Sequence, residues 1–426
     1  MKIRSEMLFP AVKGKGVISL SRKYLDEEGL RIMEHRHACR QSDFYEDELI
    51  RFSDDNGESF SEWIPYVAEN GSSGITSIGE DEVEIYDVGN AFDRENEMYL
   101  STRLHRYFIG GHEASYRDLR EGKLTHFDHQ YILARRSGED LPFLVQMIKY
   151  EDGCDFDESN PRNPDFLHNN IGYLNAPIVL KSGKIAVPVG VTVRNACKRA
   201  GLDVNEVFPS APDIHRAVVV AIGAFDSKEE KFTFEFSSPV IIDDLRSSRG
   251  IDEPIIAELS SGRLLLVMRG SNARADYTRI AEGAPSYKWF SYSDDGGKTF
   301  SPAEPWRFDN GGYVYSSATI SEFFRSSKNG KLYWIGNITS DKAYGNDPRY
   351  PLHIAEVDEN SGLLKWDTVT VIDDRRDGEC EMMQLSNFSL LEDRVTKNLH
   401  LFLGKIWQYD LSDPFYGETW KYEIEL

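Results

Sequence analysis

The chain has 426 residues, with 71 acidic and 49 basic side chains, and its formal net charge is −22 at pH 7. Nucleic acids and anionic membranes attract basic surfaces, so this balance argues against both as partners. The sequence contains no run of 18 apolar residues and no apolar N-terminal stretch, so we expect neither a membrane span nor a signal peptide and predict a cytoplasmic protein. A secreted form whose leader has been removed would have the same sequence.

Six segments along the chain share one pattern, a polar turn that leads into an apolar strand. Their apolar markers are Leu30, Met98, Ile185, Leu264, Leu332 and Leu399. The steps between markers are 68, 87, 79, 68 and 67 residues, and an apolar run precedes most of them. Each unit is therefore predicted to be a strand, a turn, a second strand and a longer connection. Six such units predict an all-β, six-bladed β-propeller that forms one domain over residues 1–426.

Two other features bound this prediction. Helical periodicity is scarce, and segments 116–135 and 195–207 are its best candidates, expected as short helical excursions in loops. The four cysteines, Cys39, Cys154, Cys197 and Cys380, are far apart and form no C-x-x-C motif. We therefore expect no zinc site, no disulfide framework and no cofactor.

A short polar motif, S-x-D-x-G-x-[ST]-aromatic, occurs at residues 53–60 and again at 293–300. In each copy the aspartate is predicted to fold its carboxylate back onto nearby backbone N–H groups. The glycine is predicted to adopt a backbone conformation that is costly for other residues. The hydroxyl residue adds a local hydrogen bond, and the aromatic ring packs on the core.

These two turns and the six-fold repeat resemble the sialidase (neuraminidase) superfamily, whose members are six-bladed propellers with BNR repeats, also called Asp-boxes. The sharpest part of the resemblance runs from Asp252 to Arg269, where a Glu and a Pro precede a strand, a glycine turn and a second strand ending in Met-Arg. In sialidases such a glutamate assists the nucleophile and such an arginine binds the substrate carboxylate. The resemblance implies these roles for Glu253 and Arg269.

The resemblance implies further roles elsewhere. Arg349 precedes an apolar strand where the family carries another carboxylate-binding arginine, and Arg36 ends a strand of the N-terminal blade. Asp43, in the loop that follows, matches the family's general acid/base, with Asp47 as a weaker rival.

The sequence departs from the family in two places. The family's first strand carries an arginine, but segment 16–20 has none. The family's tyrosine nucleophile also has no counterpart in segment 379–387, where Glu379 and Glu381 stand instead, and Tyr315 lies one blade too early. A carboxylate pair that holds a water molecule is then a natural alternative to a tyrosine nucleophile.

General chemistry supports the same residues. Cleaving a glycosidic bond requires two carboxyl groups, and Asp43 with Glu253 is the sharpest pair, followed by Glu381. Arginine suits a sugar carboxylate because its planar fork donates two parallel hydrogen bonds. Amide and phenol groups bind sugar hydroxyls, and the candidates for this are Tyr173, Asn175 and Tyr315.

We therefore predict an exo-acting glycoside hydrolase that removes a terminal acidic sugar, sialic acid-like or uronic, from an oligosaccharide or glycoconjugate. Three alternatives remain open. His126, Asp128 and His129 stand together, and His35 and His37 flank Arg36; such groups fit a polysaccharide lyase, in which a base removes the proton next to a uronate carboxylate. A non-catalytic glycan-binding propeller, or a structural or interaction propeller, would also fit the missing tyrosine and arginine.

Overall fold

The computed structural model describes residues 1–41, 44–66, 75–119, 121–124, 126–139, 141–151, 163, 170–172 and 175–426. Six antiparallel sheets of four or five strands give a six-bladed β-propeller arrangement, and only 6% of the chain is helical. The predicted fold class is confirmed. No helix within the described ranges has the length and apolar character needed to cross a membrane.

The chain divides into two compact units. The first unit comprises Met1–Gly74 and Arg307–Leu426, and the second unit comprises Ile75–Trp306. The first unit begins with β1 (Lys2–Phe9), β2 (Val17–Tyr24), β3 (Ile32–Gln41), β4 (Phe44–Ser53) and β5 (Ile64–Pro65). The second unit contains β6 (Ile75–Ile78), β7 (Asp81–Asp93), β8 (Met98–Phe108), α1 (His112–Leu119), β9 (His126–Arg136), β10 (Leu144–Met147), β11 (Ile171–Gly172), β12 (Ile178–Val179), β13 (Ile185–Thr192), α2 (Val193–Ala200), α3 (Val204–Val207), β14 (Arg216–Asp226), β15 (Lys231–Phe236), β16 (Asp252–Glu258), β17 (Leu264–Arg269), β18 (Lys288–Ser293) and β19 (Glu304–Pro305). The first unit then resumes with β20 (Ser321–Arg325), β21 (Leu332–Asn337), β22 (Leu352–Glu356), a 3-10 turn (Trp366–Thr368), β23 (Thr370–Asp373), β24 (Phe388–Glu392), β25 (Leu399–Gly404) and β26 (Thr419–Glu425).

Three sheets make up the first unit, in the strand orders β1-β26-β25-β24, β2-β3-β4-β5 and β20-β21-β22-β23. The N-terminal strand β1 pairs antiparallel with the C-terminal strand β26, from Lys2 opposite Glu425 onward. This pairing ties the two ends of the chain into one sheet. A buried apolar cluster that includes Ile335, Ile354, Leu401 and Ile424 joins two of the sheets.

The second unit also holds three sheets, in the orders β10-β9-β8-β7-β6, β11-β13-β14-β15 with β12 beside β13, and β16-β17-β18-β19. Strand β13 is buried along its whole length, because apolar side chains cover both of its faces. One face contributes Val187 and Val189 to a cluster with the preceding sheet, and Ala186 belongs to a second cluster that reaches β17. The core therefore lies between neighbouring sheets.

The repeat seen in the sequence marks one strand in each of the six sheets. The apolar residues that follow the six turns begin or fill β3, β8, β13, β17, β21 and β25. This confirms the predicted strand–turn–strand unit, because each of these strands pairs antiparallel with the strand before it.

The helical expectations were right for one segment and wrong for the other. Segment 195–207 contains most of α2 and all of α3, separated at Gly201, which ends α2 in the left-handed conformation. Segment 116–135 starts in α1, but from His126 it forms strand β9. β9 is buried on both faces in the middle of its sheet, so its apolar residues do not show the alternation of a half-exposed strand.

Candidate functional site

The two repeated polar turns have the same hydrogen bonds. In the first turn, the Asp55 carboxylate accepts from the Ser59 backbone N–H at 2.9 Å and from the Ser59 hydroxyl at 2.5 Å. In the second turn, Asp295 accepts the matching bonds from Thr299, at 3.0 and 2.6 Å. Mainly because of these side-chain hydrogen bonds, the pKa of each carboxyl falls to about 2. The turns thus have the predicted internal hydrogen bonds.

The start of β16 holds the sharpest of the predicted site residues. The pairing of β16 with β17 shifts register between Asp252 and Ile255, which is a β-bulge, and Glu253 has a left-handed backbone with φ of +48°. The Glu253 carboxylate lies 2.6 Å from Arg269 Nη1, and Asp252 Oδ2 lies 3.7 Å from Arg269 Nη2. The side chains of Glu253 and Arg269 are only 12% and 16% exposed. Bulges of this kind re-aim a side chain and are frequent beside active sites.

The loop before β16 contributes a residue that the sequence analysis missed, Arg249. Burial lowers its pKa first, and the nearby charge of Arg269 lowers it further, while Asp252 and Glu253 act in the opposite direction. Arg249 therefore belongs to the same charged cluster as the start of β16. The only signal in the sequence was the run Ser-Ser-Arg-Gly just before Asp252.

Two more side chains lie within electrostatic range of Arg249. The rings of His215 and Tyr277 stack with their centroids 6.1 Å apart. Burial, followed by the charge of Arg249, lowers the pKa of His215 to about 3. Burial raises the pKa of Tyr277, and Arg249 partly opposes this. The cluster thus combines two guanidiniums, two carboxylates, an imidazole that is neutral near pH 7, and a phenol.

The histidine cluster proposed for lyase chemistry lies in β9 rather than in a loop. Asp128 is buried and accepts from Arg106 Nε at 2.8 Å and from Arg216 Nη2 at 3.1 Å. Burial alone would raise the pKa of Asp128, but these arginines hold it below the usual value. His129 is completely buried as well. This arrangement gives Asp128 a structural ion-pair network.

Asn175 lies at the entrance to β12 and is buried. Its amide nitrogen donates to the backbone carbonyls of Pro188 at 2.6 Å and Pro254 at 3.1 Å. Since an amide group has two N–H donors, both are used by the backbone in this structure.

In the first unit, Arg349 precedes β22. Its guanidinium donates to the Asn346 and Ala318 carbonyls at 3.1 and 3.3 Å and to the Ser386 hydroxyl at 3.2 Å. Burial raises the pKa of the neighbouring Asp347, and the charge of Arg349 opposes this rise. These three acceptors are neutral, and a charged carboxylate is a stronger acceptor for a guanidinium.

The two glutamates in the segment without a tyrosine have different environments. Glu379 is buried, accepts from Gln408 at 2.8 Å, and lies 3.8 Å from the buried Lys405 amine. Glu381 is exposed, and its backbone carbonyl accepts from the Tyr350 hydroxyl at 3.1 Å. Tyr315 is half-buried, with its ring centroid 6.0 Å from that of Tyr313.

Arg36 lies in a stack of alternating arginine and aromatic side chains on one face of the β2–β5 sheet. The Arg36 guanidinium lies 4.6 Å from the centre of the Trp63 ring, and the Arg51 guanidinium lies 4.3 Å from the same ring. The completely buried Glu34 binds Arg22 at 2.5 Å and Arg51 at 2.6 Å. The full stack is Phe402, Arg22, Phe60, Arg51, Trp63, Arg36 and Phe9.

The predicted residues Asp43 and Tyr173 lie outside the described residues. Asp47, the rival of Asp43, is exposed and pairs with Arg40. Within the described ranges, no three His, Cys, Asp or Glu side chains come together in a group that could hold a metal ion.

Of the described candidates, Asn175, Glu253 and Arg269 belong to the second unit, whereas Arg36, Tyr315, Arg349 and Glu381 belong to the first. The structure brings Glu253 and Arg269 into direct contact.

Solved structures of low sequence identity share this fold. A protein of unknown function from Dyadobacter fermentans matches with a TM-score of 0.58 and 14% identity, over 99% of both chains. The Trypanosoma rangeli sialidase matches with a TM-score of 0.53 and 13% identity, over 99% of this chain and 59% of that chain. The intramolecular trans-sialidase of Ruminococcus gnavus, solved with oseltamivir carboxylate, matches with a TM-score of 0.53 and 10% identity, over 99% and 97% of the two chains.

No protein-family model and no curated protein sequence matches the chain. The chain spans 59% of the trypanosomal sialidase. At these low identities the likeness concerns the fold alone, and it is the fold of a sialidase-like β-propeller.

Proposed function

We propose that this protein is an exo-acting glycoside hydrolase that removes a terminal acidic sugar from an oligosaccharide or glycoconjugate. One observation carries the proposal: the β-bulge at the start of β16 holds Glu253 in a left-handed backbone with its carboxylate 2.6 Å from Arg269. Strained backbone and largely buried opposite charges are more frequent at functional sites than on an ordinary strand.

Each predicted residue has a stated role in this proposal. Glu253 is the base or the activator of the nucleophile, and Asp43 is the general acid/base, because glycoside hydrolysis needs two carboxyl groups. Glu381 is the reserve carboxylate. The sugar carboxylate is bound by arginine, from the set Arg36, Arg269 and Arg349, and sugar hydroxyls are bound from the set Tyr173, Asn175 and Tyr315.

The test is hydrolysis of aryl glycosides of sialic, keto-deoxy and uronic acids, beside the neutral sugar of matching shape. We expect turnover of at least one acidic glycoside and of no neutral one. Glu253→Gln should lower kcat by at least about 100-fold, as loss of a general acid or base does. The control is Glu235→Gln, on the exposed face of β15. Normal turnover by the Glu253→Gln variant would refute the proposal.

A polysaccharide lyase is a second candidate, because His215, Tyr277 and Arg249 lie together in the second unit. A lyase needs a base, an acid and a cation that neutralises the uronate carboxylate. Assays on uronate polysaccharides, in parallel with the aryl glycosides, distinguish a lyase from a hydrolase. Only elimination leaves an unsaturated sugar that absorbs ultraviolet light. Sugar binding without any turnover, unchanged in Glu253→Gln and Asp43→Asn, would indicate a glycan-binding propeller.

A further inference from the structure

The loop before β16 presents the guanidinium of Arg249. Among the described residues, no side chain or carbonyl hydrogen-bonds or ion-pairs with the Arg249 guanidinium. A guanidinium carries five N–H donors and keeps its charge in proteins, so holding it partly out of water without an acceptor is costly. The lowered pKa of Arg249 reflects the same cost, through burial and the adjacent Arg269.

The backbone around Arg249 is fixed by neighbouring strands, so the side chain is presented from a rigid loop. Ser248 N–H donates to the Ser271 carbonyl at 2.9 Å, and Ser271 N–H donates to the Ser247 hydroxyl at 2.9 Å. Gly250 has φ of +70°, and a Cβ there would lie 2.0 Å from the Arg216 carbonyl oxygen, so only glycine fits. A site built this way binds its ligand without first having to order the loop.

Arg269 differs from Arg249 because acidic side chains already surround it. Glu253 lies 2.6 Å from one of its terminal nitrogens and Asp252 lies 3.7 Å from the other. A sugar carboxylate arriving at Arg269 would compete with both. At Arg249 it would meet an unused set of donors.

We infer that Arg249 is the residue that binds the carboxylate of the acidic sugar, and that Arg269 is a positioning residue that holds Glu253 in place. This inference rests on the proposed function, since it takes an acidic sugar as the ligand. It changes the roles that resemblance alone implied, because the sequence analysis gave carboxylate binding to Arg269.

The groups around Arg249 suit the rest of such a ligand. The Nε2 atom of His215 is buried and, within the described part of the chain, has no hydrogen-bond partner. Tyr277 is half-buried and stacks on His215, so it offers both a ring face and a hydroxyl. A sugar that reaches Arg249 would therefore find the half-buried ring and hydroxyl of Tyr277 near the cation.

The test separates binding from turnover with two variants and a matched control. Arg249→Met should raise KM for the acidic glycoside and the inhibition constant of the free sugar acid by about 10- to 100-fold, the loss of one or two charge-assisted hydrogen bonds. It should leave kcat within about threefold of the wild-type value. Arg269→Met should instead lower kcat, with partial rescue in Arg269→Lys. The control is Arg263→Met, since Arg263 pairs with Asp294 at 2.7 Å on the surface.

Other outcomes would overturn the inference. If KM and the inhibition constant are unchanged in Arg249→Met, Arg249 does not bind the sugar carboxylate. If Glu253→Gln nevertheless loses kcat, the proposed function still holds and only the inference about Arg249 is wrong. If no glycoside is turned over, the proposed function fails, and calorimetric titration with N-acetylneuraminate, a keto-deoxy acid and glucuronate still tests Arg249. Arg249→Lys, which keeps the charge without the fork, provides a second variant in case the methionine variant does not fold. Its binding should fall between that of the wild type and that of Arg249→Met.

Discussion

Because Glu253 has a left-handed backbone, we predict that glycine at position 253 gives a more stable protein than alanine, the reverse of the usual order in a strand. In an ordinary strand, glycine is less stable than alanine by roughly 0.5–1 kcal/mol, because it loses more conformational entropy on folding. At φ of +48°, however, an alanine has the steric cost of the left-handed region, and a glycine does not. That cost is roughly 1–2 kcal/mol for a residue with a Cβ.

At position 253 the entropy cost of glycine and the steric cost of alanine oppose each other. Both Glu253→Ala and Glu253→Gly remove the ion pair with Arg269, so its loss cancels when the two variants are compared. Glycine should then be more stable than alanine by about 0.5–1 kcal/mol. Glu235, on the exposed face of β15 and without a positive φ, is the control position, where alanine should be the more stable. The difference between the two comparisons, about 1–2 kcal/mol, isolates the strain.

Urea unfolding followed by circular dichroism and tryptophan fluorescence measures all four variants. Comparing midpoints at a shared slope avoids the error of long extrapolation. Both variants at position 253 should lack hydrolytic activity, and Glu253→Gly should regain stability without activity. If the alanine variant is as stable as the glycine variant or more stable at position 253, as expected at position 235, then the backbone at Glu253 is not strained. The main structural argument for a functional role of Glu253 would then be lost.

Two further predictions concern stability. Replacing the buried Glu34 by glutamine leaves two arginines without their counter-charge and should lower the free energy of unfolding by about 3–5 kcal/mol. Glu230→Gln, in the surface pair of Glu230 with Arg136, should lower the free energy of unfolding by no more than about 1 kcal/mol. Equal urea midpoints for Glu34→Gln and Glu230→Gln would contradict this prediction. Four histidines, His37, His105, His215 and His400, have pKa values of about 3, 4, 3 and 4, below the unfolded value of about 6.5, mainly because burial disfavours the charged ring. Unfolding then takes up protons, so stability should fall as pH drops from 6.5 to 5, and these four groups should contribute a slope approaching about 5 kcal/mol per pH unit. If His400→Gln does not lower this slope by about a quarter, the prediction is wrong.

Local sequence was sufficient to predict the blades. A glycine or asparagine turn followed by an apolar run specifies where a hairpin reverses, and this information lies within six or seven residues. Each of the six turns therefore leads into a strand, and each sheet contains one of these strands. The Asp55 and Asp295 turns were predictable for the same reason, because each carboxylate bonds to residues at most four positions away.

The candidate site was harder to predict, because its residues depend on distant partners. Arg249 had no motif, and its position is set by hydrogen bonds to Ser271 and by contact of Gly250 with Arg216. The hydrogen bonds of Asn175 also depend on distant partners. Its polarity suggested sugar binding, but carbonyls brought in by β13 and β16 use both of its donors.

The net charge of −22 affects how an acidic sugar would be recognised. A strongly negative protein repels an anionic ligand at long range, so electrostatic attraction cannot bring the sugar to the site. Recognition must then depend on short-range hydrogen bonds from a cation whose N–H donors are not already engaged. In the described part of the second unit, Arg269 is paired with Glu253, and Arg249 beside it has no partner. The unequal treatment of two adjacent guanidiniums is what favours a binding role for one and a positioning role for the other.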